Sequence, residues 1–333
     1  MVVAVNISVV IPSNHGHHEL LKIVQAVCAQ TVQPCEVVIV DSSNECVVSP
    51  QDIAALCEKC GIKFVYERFE TVLLPGHARN IGLGLASGQI IAFIDVQTIP
   101  RTYWLESCLN FLASNGVYGV WGASCFKAET SFEKLVRDGF YGVFPRKTLP
   151  GSIFSRNVFD KTGQFIEWVR AGEDTEWMLR LELLKLNVAD PPSALIDYTG
   201  LIGSDTKMLV SKWYRNYRAS CQLPHFFPQR LFLWLILYPL VTLIAFNWNF
   251  LIADWHMDSP LYIGHITKIV ALLPILAYIF IRGFWLPMRR GVGVWRLLPF
   301  RFILLLLVCF VADFVKILVF TLPFRNIKPK RFL

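Results

Sequence analysis

Between Leu231 and Ala253 the chain runs for 23 residues without a charge. A helix needs about 20 apolar residues to cross the roughly 30 Å hydrocarbon core of a bilayer, so this stretch predicts a spanning helix. Two further apolar stretches follow. Leu261–Ile281 carries His265 and Lys268 near its start, and Phe302–Phe324 carries Asp313 and Lys316 inside it. Trp234, Trp248, Trp255, Trp285 and Trp295 fall near the edges of these stretches, where interfacial tryptophans collect. Charge divides the chain at the same place. Residues 1–229 hold 20 Lys/Arg and 22 Asp/Glu, whereas residues 230–333 hold 12 and 3. The whole-chain charge of +7 therefore belongs to the apolar third, and it points to a membrane surface rather than to nucleic acid. A chain that is 54% hydrophobic and 17% charged is also not disordered, not a coiled coil and not a small disulfide scaffold.

Loop charge sets an orientation. Asp254–Pro260 contains no Lys or Arg, while the next loop contains Arg282, Arg289, Arg290, Arg296 and Arg301. The positive-inside bias places that second loop and the N-terminal domain in the cytoplasm, at the plasma or inner membrane. If all three stretches crossed, the basic tail of Arg325, Lys328, Lys330 and Arg331 would lie outside. The expectation is therefore that the third stretch lies in the interface or re-enters, with Asp313 and Lys316 paired at i,i+3. Met1–Pro12 has no basic n-region or cleavage site and reads as a first strand. Among nine cysteines, Cys57 and Cys60 form a C-x-x-C with no second pair at zinc spacing, which favours reduced thiols over a metal knuckle.

The first two hundred residues alternate between strand and helix patterns. Asn6–Ile11, Glu36–Asp41, Lys63–Glu67 and Ile90–Asp95 are short Val/Ile-rich runs, separated by helical patterns over His18–Gln30, Gln51–Cys60 and Ala78–Ala86. Continuously apolar strands in such an order predict an α/β fold with a mostly parallel sheet and helices on both faces. Ligands in such sheets bind beyond the carboxyl ends of the strands. Polar residues gather there: Pro12-Ser13-Asn14, Asp41-Ser42-Ser43-Asn44 and Asp95-Val96-Gln97-Thr98. No dinucleotide fingerprint and no Walker lysine accompany them. Further on, Ser152–Ser155 reads as a short strand. Asp174–Leu186 reads as an amphipathic helix with Trp177, Met178, Leu181 and Leu184 on its apolar side. Glu173 and Asp174 stand at the start of that helix, where carboxylates also serve as simple caps.

Taken in order, these pieces resemble a family 2 glycosyltransferase of the GT-A (Rossmann-like) fold over about residues 6–200. The resemblance rests on Val9-Val10-Ile11-Pro12, Val40-Asp41-Ser42-Ser43, Ala78-Arg79-Asn80-Ile81-Gly82 followed by Ala86-Ser87-Gly88, the strand Ile91–Asp95, and Gly172-Glu173-Asp174. It implies a GT-A domain over 1–205, a basic aromatic juxtamembrane linker over 206–230, and a membrane region over 231–333 with two or three hydrophobic helices. It implies an inverting transfer from a nucleotide sugar to a membrane-associated acceptor, a lipid or a lipid-linked saccharide, in cell-surface polysaccharide or glycolipid assembly. Pro12, Asp41, Arg79, Asp95 and Glu173 are expected on the substrate side, with Asp41 at the base or ribose and Arg79 along the diphosphate. Asp174 is the expected general base. Asp95 is similar to the first Asp of the family's D-x-D motif, which implies a divalent ion, Mg2+ or Mn2+.

Two departures qualify the resemblance. The motif reads Asp95-Val96-Gln97, so an amide stands where a second carboxylate is usual and metal affinity is expected to be weaker. In place of the Q-x-x-R-W of processive synthases the chain has Lys212-Trp213-Tyr214-Arg215-Asn216-Tyr217-Arg218, which disfavours a polymer-extruding channel. Arg215 and Arg218 are candidate contacts for a phosphate of the acceptor or donor, beside the simpler reading that they attract anionic lipid. His15, His17 and His18 read as loop residues, and His77 as a minor candidate for donor contact. Two alternatives stay open: a polyprenyl-phosphate glycosyltransferase, and a catalytically silent membrane scaffold or binding subunit. Oligomeric state is not legible.

Overall fold

The computed structural model describes residues 6–14, 17–43, 49–191, 193, 195–201, 206–223, 244, 247–251, 256–264 and 266–321. The expected first span, Leu231–Ala253, falls almost wholly outside these residues, as do the basic tail, His15 and the end of the expected linker.

Four strands form the parallel part of the sheet: β1 (Ile7–Ser13), β2 (Glu36–Asp41), β3 (Lys63–Arg68) and β4 (Ile90–Phe93). They lie in the order β3-β2-β1-β4 and are all mutually parallel. Beyond β4 the sheet becomes mixed. β7 (Arg146–Ser155) runs antiparallel to β4 and to β6 (Gly119–Phe126). Past β6 come β9 (Ile196–Tyr198) and then β5 (Thr98–Pro100), with the two-residue β8 (Val188–Ala189) also on β6. The short strand expected at Ser152–Ser155 is thus the end of a ten-residue strand. Pro150-Gly151 breaks its apolar run in the sequence, and the ladder with β6 shifts register opposite that point.

Side-chain alternation divides the core between the two faces. Val9 and Ile11 of β1, Val37 and Ile39 of β2, and Ala92 point to one face. There they meet Leu20, Ile23 and Val27 of α1 (His17–Cys28), Ile53 of α2 (Pro50–Lys59) and Trp104 of α4 (Trp104–Asn115). Val10, Val38, Ile91 and Phe93 point to the other face. They pack with Leu83 of α3 (Pro75–Leu85), Phe159 of α6 (Asn157–Thr162) and Trp177 of α7 (Glu173–Leu183). Burial on both faces explains why these strands carry no period-two polarity. β3 differs. It is the sheet edge and is only half-buried, with Phe64 and Tyr66 against the first face and Val65 against the second. The helix expected to reach Leu186 stops at Leu183. Lys185 adopts a left-handed φ of 52°, and Leu184 is 50% exposed instead of facing the core.

The expected linker contains a helix, α8 (Thr206–Ser220), packed against the domain. Trp213 lies against Phe140, with ring centroids 5.2 Å apart, in the wide helical turn Arg137–Tyr141 that continues α5 (Ser131–Val136). Further on, α9 (Ile266–Phe280) continues through the wide turn Ile281–Trp285 into α10 (Leu286–Arg289), and α11 (Arg301–Thr321) follows. Leu272–Arg289 and Arg301–Val319 are long and apolar enough to cross a membrane by length and composition. The expected Asp313–Lys316 pair does not form. Asp313 accepts from Arg282 Nε at 2.7 Å, from Arg282 Nη2 and from the Tyr278 hydroxyl at 3.0 Å, while the Lys316 ammonium stands 5.9 Å from the Tyr217 ring centre. A planar guanidinium on a neighbouring helix takes both carboxylate oxygens at once, which an i,i+3 lysine does not.

Candidate active site

The strands β1, β2 and β4 end along one edge of the sheet, and that edge collects the expected residues. Pro12, half-buried, pairs across the ladder with Val40, and Ser13 with Asp41. Asp41 is fully buried and its carboxylate is already occupied. It accepts from the Ser43 amide and hydroxyl, both at 3.1 Å, and from the Tyr66 hydroxyl at 2.9 Å. Asp95 lies two residues past β4, in a turn closed by Thr98, whose hydroxyl accepts from the Asp95 amide at 3.1 Å. Its side chain keeps 32% exposure.

The segment Ala78–Gly82 shows what its residue types do. Gly82 lets α3 press on β1, since a Cβ there would come 2.4 Å from Val10 Cγ1. Asn80 holds the loop before α7: its amide donates to the Phe165 carbonyl and to Glu167 at 2.9 Å each, and its oxygen accepts from the Phe165 amide at 2.9 Å. Arg79 faces the acids. Nη1 donates to Glu173 Oε1 at 2.6 Å, and Nη2 donates to the two oxygens of Asp95 at 3.0 and 3.3 Å. Arg79 and Glu173 are each 4% exposed.

Three carboxylates around one buried cation decide the local electrostatics. Burial works against the guanidinium's charge, but Asp95, Glu173 and Asp174 together hold Arg79 above its ordinary range. Glu173 moves the other way from most paired acids. Burial, with the charge of Asp174 added, pushes it up to about 7 despite the hydrogen bond from Arg79. Two polar atoms at this centre are buried without a partner among the described residues, Arg79 Nε and Glu173 Oε2. An unsatisfied buried donor costs about 1–3 kcal/mol, so this centre has unused capacity for a ligand oxygen.

Asp174 is the second residue of α7. Its Oδ1 accepts from the Thr175 amide at 2.7 Å and the Thr175 hydroxyl at 3.2 Å. Gly172 before it has φ of +92°, and this left-handed residue aims the first turn of α7 toward Arg79. The arrangement thus unites Arg79, Asp95 and Glu173 with Asp174 beside them. Asp41 stays in its own closed network at the far end of β2. Gln97 Oε1 accepts from the Tyr198 hydroxyl at 3.1 Å. Among the described residues no group of three or more His, Cys, Asp or Glu side chains forms a metal site. Asp95 by itself still fits a hard divalent ion, which keeps its waters and takes one or two carboxylates plus phosphate oxygens.

Residues 8–166 match the sequence model of glycosyl transferase family 2. This stretch of the chain is a family 2 glycosyltransferase domain. An uncharacterised glycosyltransferase of Rickettsia conorii is 28% identical over 159 residues, which are 47% of this chain and 24% of that protein. The chain thus spans about a quarter of the length of that relative. Glycosyltransferase AglE of Haloferax volcanii is 26% identical over 193 residues, covering 52% of this chain and 60% of AglE. Among solved structures, the mannosyltransferase PcManGT of Pyrobaculum calidifontis, in complex with GDP-Man and Mn2+, superposes with a TM-score of 0.53 at 16% identity. The superposition covers 94% of this chain and 87% of that one, and it shows a shared fold.

Sequence reasoning missed two supports of this glycosyltransferase domain. One is Tyr198, which fixes Gln97 from a strand a hundred residues away. The other is the end of α8. A Cβ on Gly172 would lie 2.9 Å from Leu223 Cδ1, and Leu223 is fully buried against Ile166 and Val169. Neither carries a local signal, because both contacts join segments remote in sequence. On α8 itself Arg215 and Arg218 are exposed and have no hydrogen bond or ion pair among the described residues. Lys212 turns inward to a cavity of about 30 Å³ shared with Tyr141, Trp213 and Asn216. Burial, and then the charge of Arg215, lower its pKa. His18 is exposed and His77 half-buried.

Proposed function

We propose that the protein is an inverting glycosyltransferase moving a sugar from a nucleotide sugar to a hydroxyl of a membrane-associated acceptor, a lipid or lipid-linked saccharide, in cell-surface polysaccharide or glycolipid assembly. The observation that carries this reading is Arg79. It is held between Asp95 and Glu173 at the carboxyl edge of a family 2 sheet, with a buried Nε–H that lacks an acceptor among the described residues. An anionic diphosphate oxygen supplies that acceptor. Pro12 and the Asp41–Ser43–Tyr66 network would form the wall at the nucleoside end.

In this mechanism Asp174 takes the proton of the acceptor hydroxyl. The oxygen attacks the anomeric carbon from the face opposite the leaving group. The bond from that carbon to the diphosphate oxygen breaks, and the nucleoside diphosphate departs with the electron pair. Arg79 stabilises the charge that grows on it, in a buried setting where a fixed cation acts strongly. Asp95 would hold a Mg2+ or Mn2+ ion, which supplies further charge neutralisation at the diphosphate when bound. With Gln97 committed to Tyr198, that ion would depend mainly on the diphosphate itself. The exposed Arg215 and Arg218 would meet the phosphate of a lipid-linked acceptor.

Attachment to the membrane is part of the proposal. It is supported by the two helices of sufficient length and by the exposure of their apolar side chains. Asp174→Asn separates a hydroxyl acceptor from a phosphate acceptor, because a phosphate is already anionic and needs little general base. Transfer to a sugar hydroxyl should fall about 10²- to 10⁴-fold in the variant. Full retention of that transfer in a radiolabelled-donor assay refutes the base assignment. Loss confined to hydroxyl acceptors, with phosphate transfer intact, favours the polyprenyl-phosphate variant.

A further inference from the structure

The course of α11 is read from what touches it along its length. At its start, Arg301 Nη2 donates to the fully buried Asp138 at 2.9 Å. One and two turns on, Leu305 and Cys309 lie against Gly139, where a Cβ would come 3.8 and 3.1 Å from them. Lys316 stands over Tyr217 of α8. Val315 and Leu318 form a groove of about 560 Å³ with Thr206, Val210 and Tyr214 of the same helix. From Arg301 to Leu318 a helix advances about 26 Å at 1.5 Å per residue. Over all of that length one side of α11 rests on the catalytic domain and α8. Buried Leu305, Cys309, Ala312, Val315 and Val319 make a continuous stripe at helical spacing on that side.

A helix that crossed the bilayer would touch a water-soluble domain only at one end. If α11 stood upright from Arg301, Leu318 would lie at the far membrane face. It would carry Thr206 and Tyr214 with it, on a helix whose outer surface bears Arg215 and Arg218. Such burial of charge in hydrocarbon is prohibitive. Nor does α11 lie in a hairpin with α9. Among the described residues their contacts run through the last turn of α9 and the turn after it, by Tyr278, Arg282, Gly283 and Phe284, while Leu272, Leu273, Ile275 and Leu276 of α9 are exposed.

We propose that α11 lies in the plane of the membrane beneath the catalytic domain. Its outer face sits in the acyl layer of one leaflet, and both of its ends stay on the catalytic side. The outer face suits that occupant. Ile303, Leu307, Phe310 and Phe314 are 45–58% exposed with no charge among them. Trp295 and Phe300, 85% and 72% exposed, stand just before the helix at the depth where aromatic residues favour the interface. Exposed Arg296 and the α8 arginines flank the apolar face and complement anionic headgroups. Because the end of α8 also packs on Gly172, this places the leaflet surface next to the residues that start α7. The same course removes the conflict between the positive-inside bias and the basic tail, which then stays in the cytoplasm.

This inference rests on the membrane attachment proposed above, and the test separates the two. The full chain carrying an epitope after Leu333 is reconstituted in sealed vesicles of mixed zwitterionic and anionic phospholipid. Ketone-bearing side chains at Ile303, Leu307 and Phe314, coupled one at a time to a nitroxide, report depth by paramagnetic relaxation and leave the native thiols untouched. The expected result is an epitope cleaved from the same side as the catalytic domain, with three depths agreeing within about one helical turn, ~5 Å. Protein that does not float with the vesicles refutes membrane attachment itself. Floating protein with the epitope on the opposite side, or with depths stepping by about 1.5 Å per residue from 303 to 314, overturns the in-plane course alone. The epitope arm alters no packed residue, so it decides the matter even if a labelled variant misfolds.

Discussion

Glu173 is held near neutrality by burial, and this makes it a control on Arg79. Above pH 7 it is ionised, and Arg79 faces Asp95 and Glu173 together. As pH falls through about 7, Glu173 takes up a proton, Arg79 loses one of the negative charges it faces, and the centre gains one positive charge. Anion affinity should therefore rise as pH falls from 8 to 6, by up to about tenfold per unit of coupled titration. Glu173→Gln should bind pyrophosphate more tightly than the native protein at pH 8 and about equally at pH 6. The measurement is calorimetry on both proteins across the range, where the ligand's own titration cancels in the difference. Parallel slopes for the two proteins would show that Glu173 does not titrate at this centre. The residue types here were legible in sequence, but their states were not. Burial is what moves Glu173, and burial is a property of the fold.

At the scale of elements, the first turn of α7 is aimed by the backbone at Gly172 and backed by the end of α8. Alanine at a left-handed position costs about 1–2 kcal/mol. At Gly172 it also collides with Leu223. Gly172→Ala is expected to lower the melting temperature by a few degrees and kcat by well over tenfold, because it displaces Asp174. Gly163 is the control. Its φ is +72°, and the nearest atom to a Cβ there is Arg180 Nη1 at 3.5 Å. Gly163→Ala should show a similar loss in melting temperature with kcat nearly unchanged. Equal kcat losses in the two variants would remove Gly172 as a positioning residue. The sequence marked this helix start through Gly172-Glu173-Asp174, yet α8, which sits behind it, read only as a basic linker. Leu209, Trp213 and Tyr217 recur every four residues along α8, but such a period marks a covered face without naming the segment that covers it.

For the whole molecule, the catalytic domain and the C-terminal helices meet at Asp138. Arg137 Nη2 and Arg301 Nη2 both donate to its carboxylate at 2.9 Å, and Arg290 Nη1 donates to the carbonyl of Gly139 next to it. Removing one partner of a buried ion pair leaves the others uncompensated and costs about 3–5 kcal/mol. Asp138→Ala should accordingly lower the melting temperature of the detergent-solubilised protein and expose the 290–300 loop to protease, whereas Asp138→Asn should lose less. An unchanged melting temperature with unchanged proteolysis would mean that this junction does not couple the two parts.

By itself the sequence determined the elements whose signals are local. Continuous apolar runs between helical patterns imposed a sheet buried on both faces, and strand ends brought Asp41, Asp95 and Pro12 to one edge. Charge-poor stretches divided the chain at residue 230. Tertiary structure decided whatever depends on segments distant along the chain. It turned the far half of the sheet antiparallel, where Pro150-Gly151 had hidden a long strand. It enclosed Asp41 while leaving Asp95 partly open, gave Gln97 to Tyr198, and gave Asp313 to Arg282 instead of Lys316. Composition states that a helix is apolar enough for lipid. Only contacts over its full length state whether it crosses the bilayer or lies along it, because hydrophobicity carries no direction and packing does.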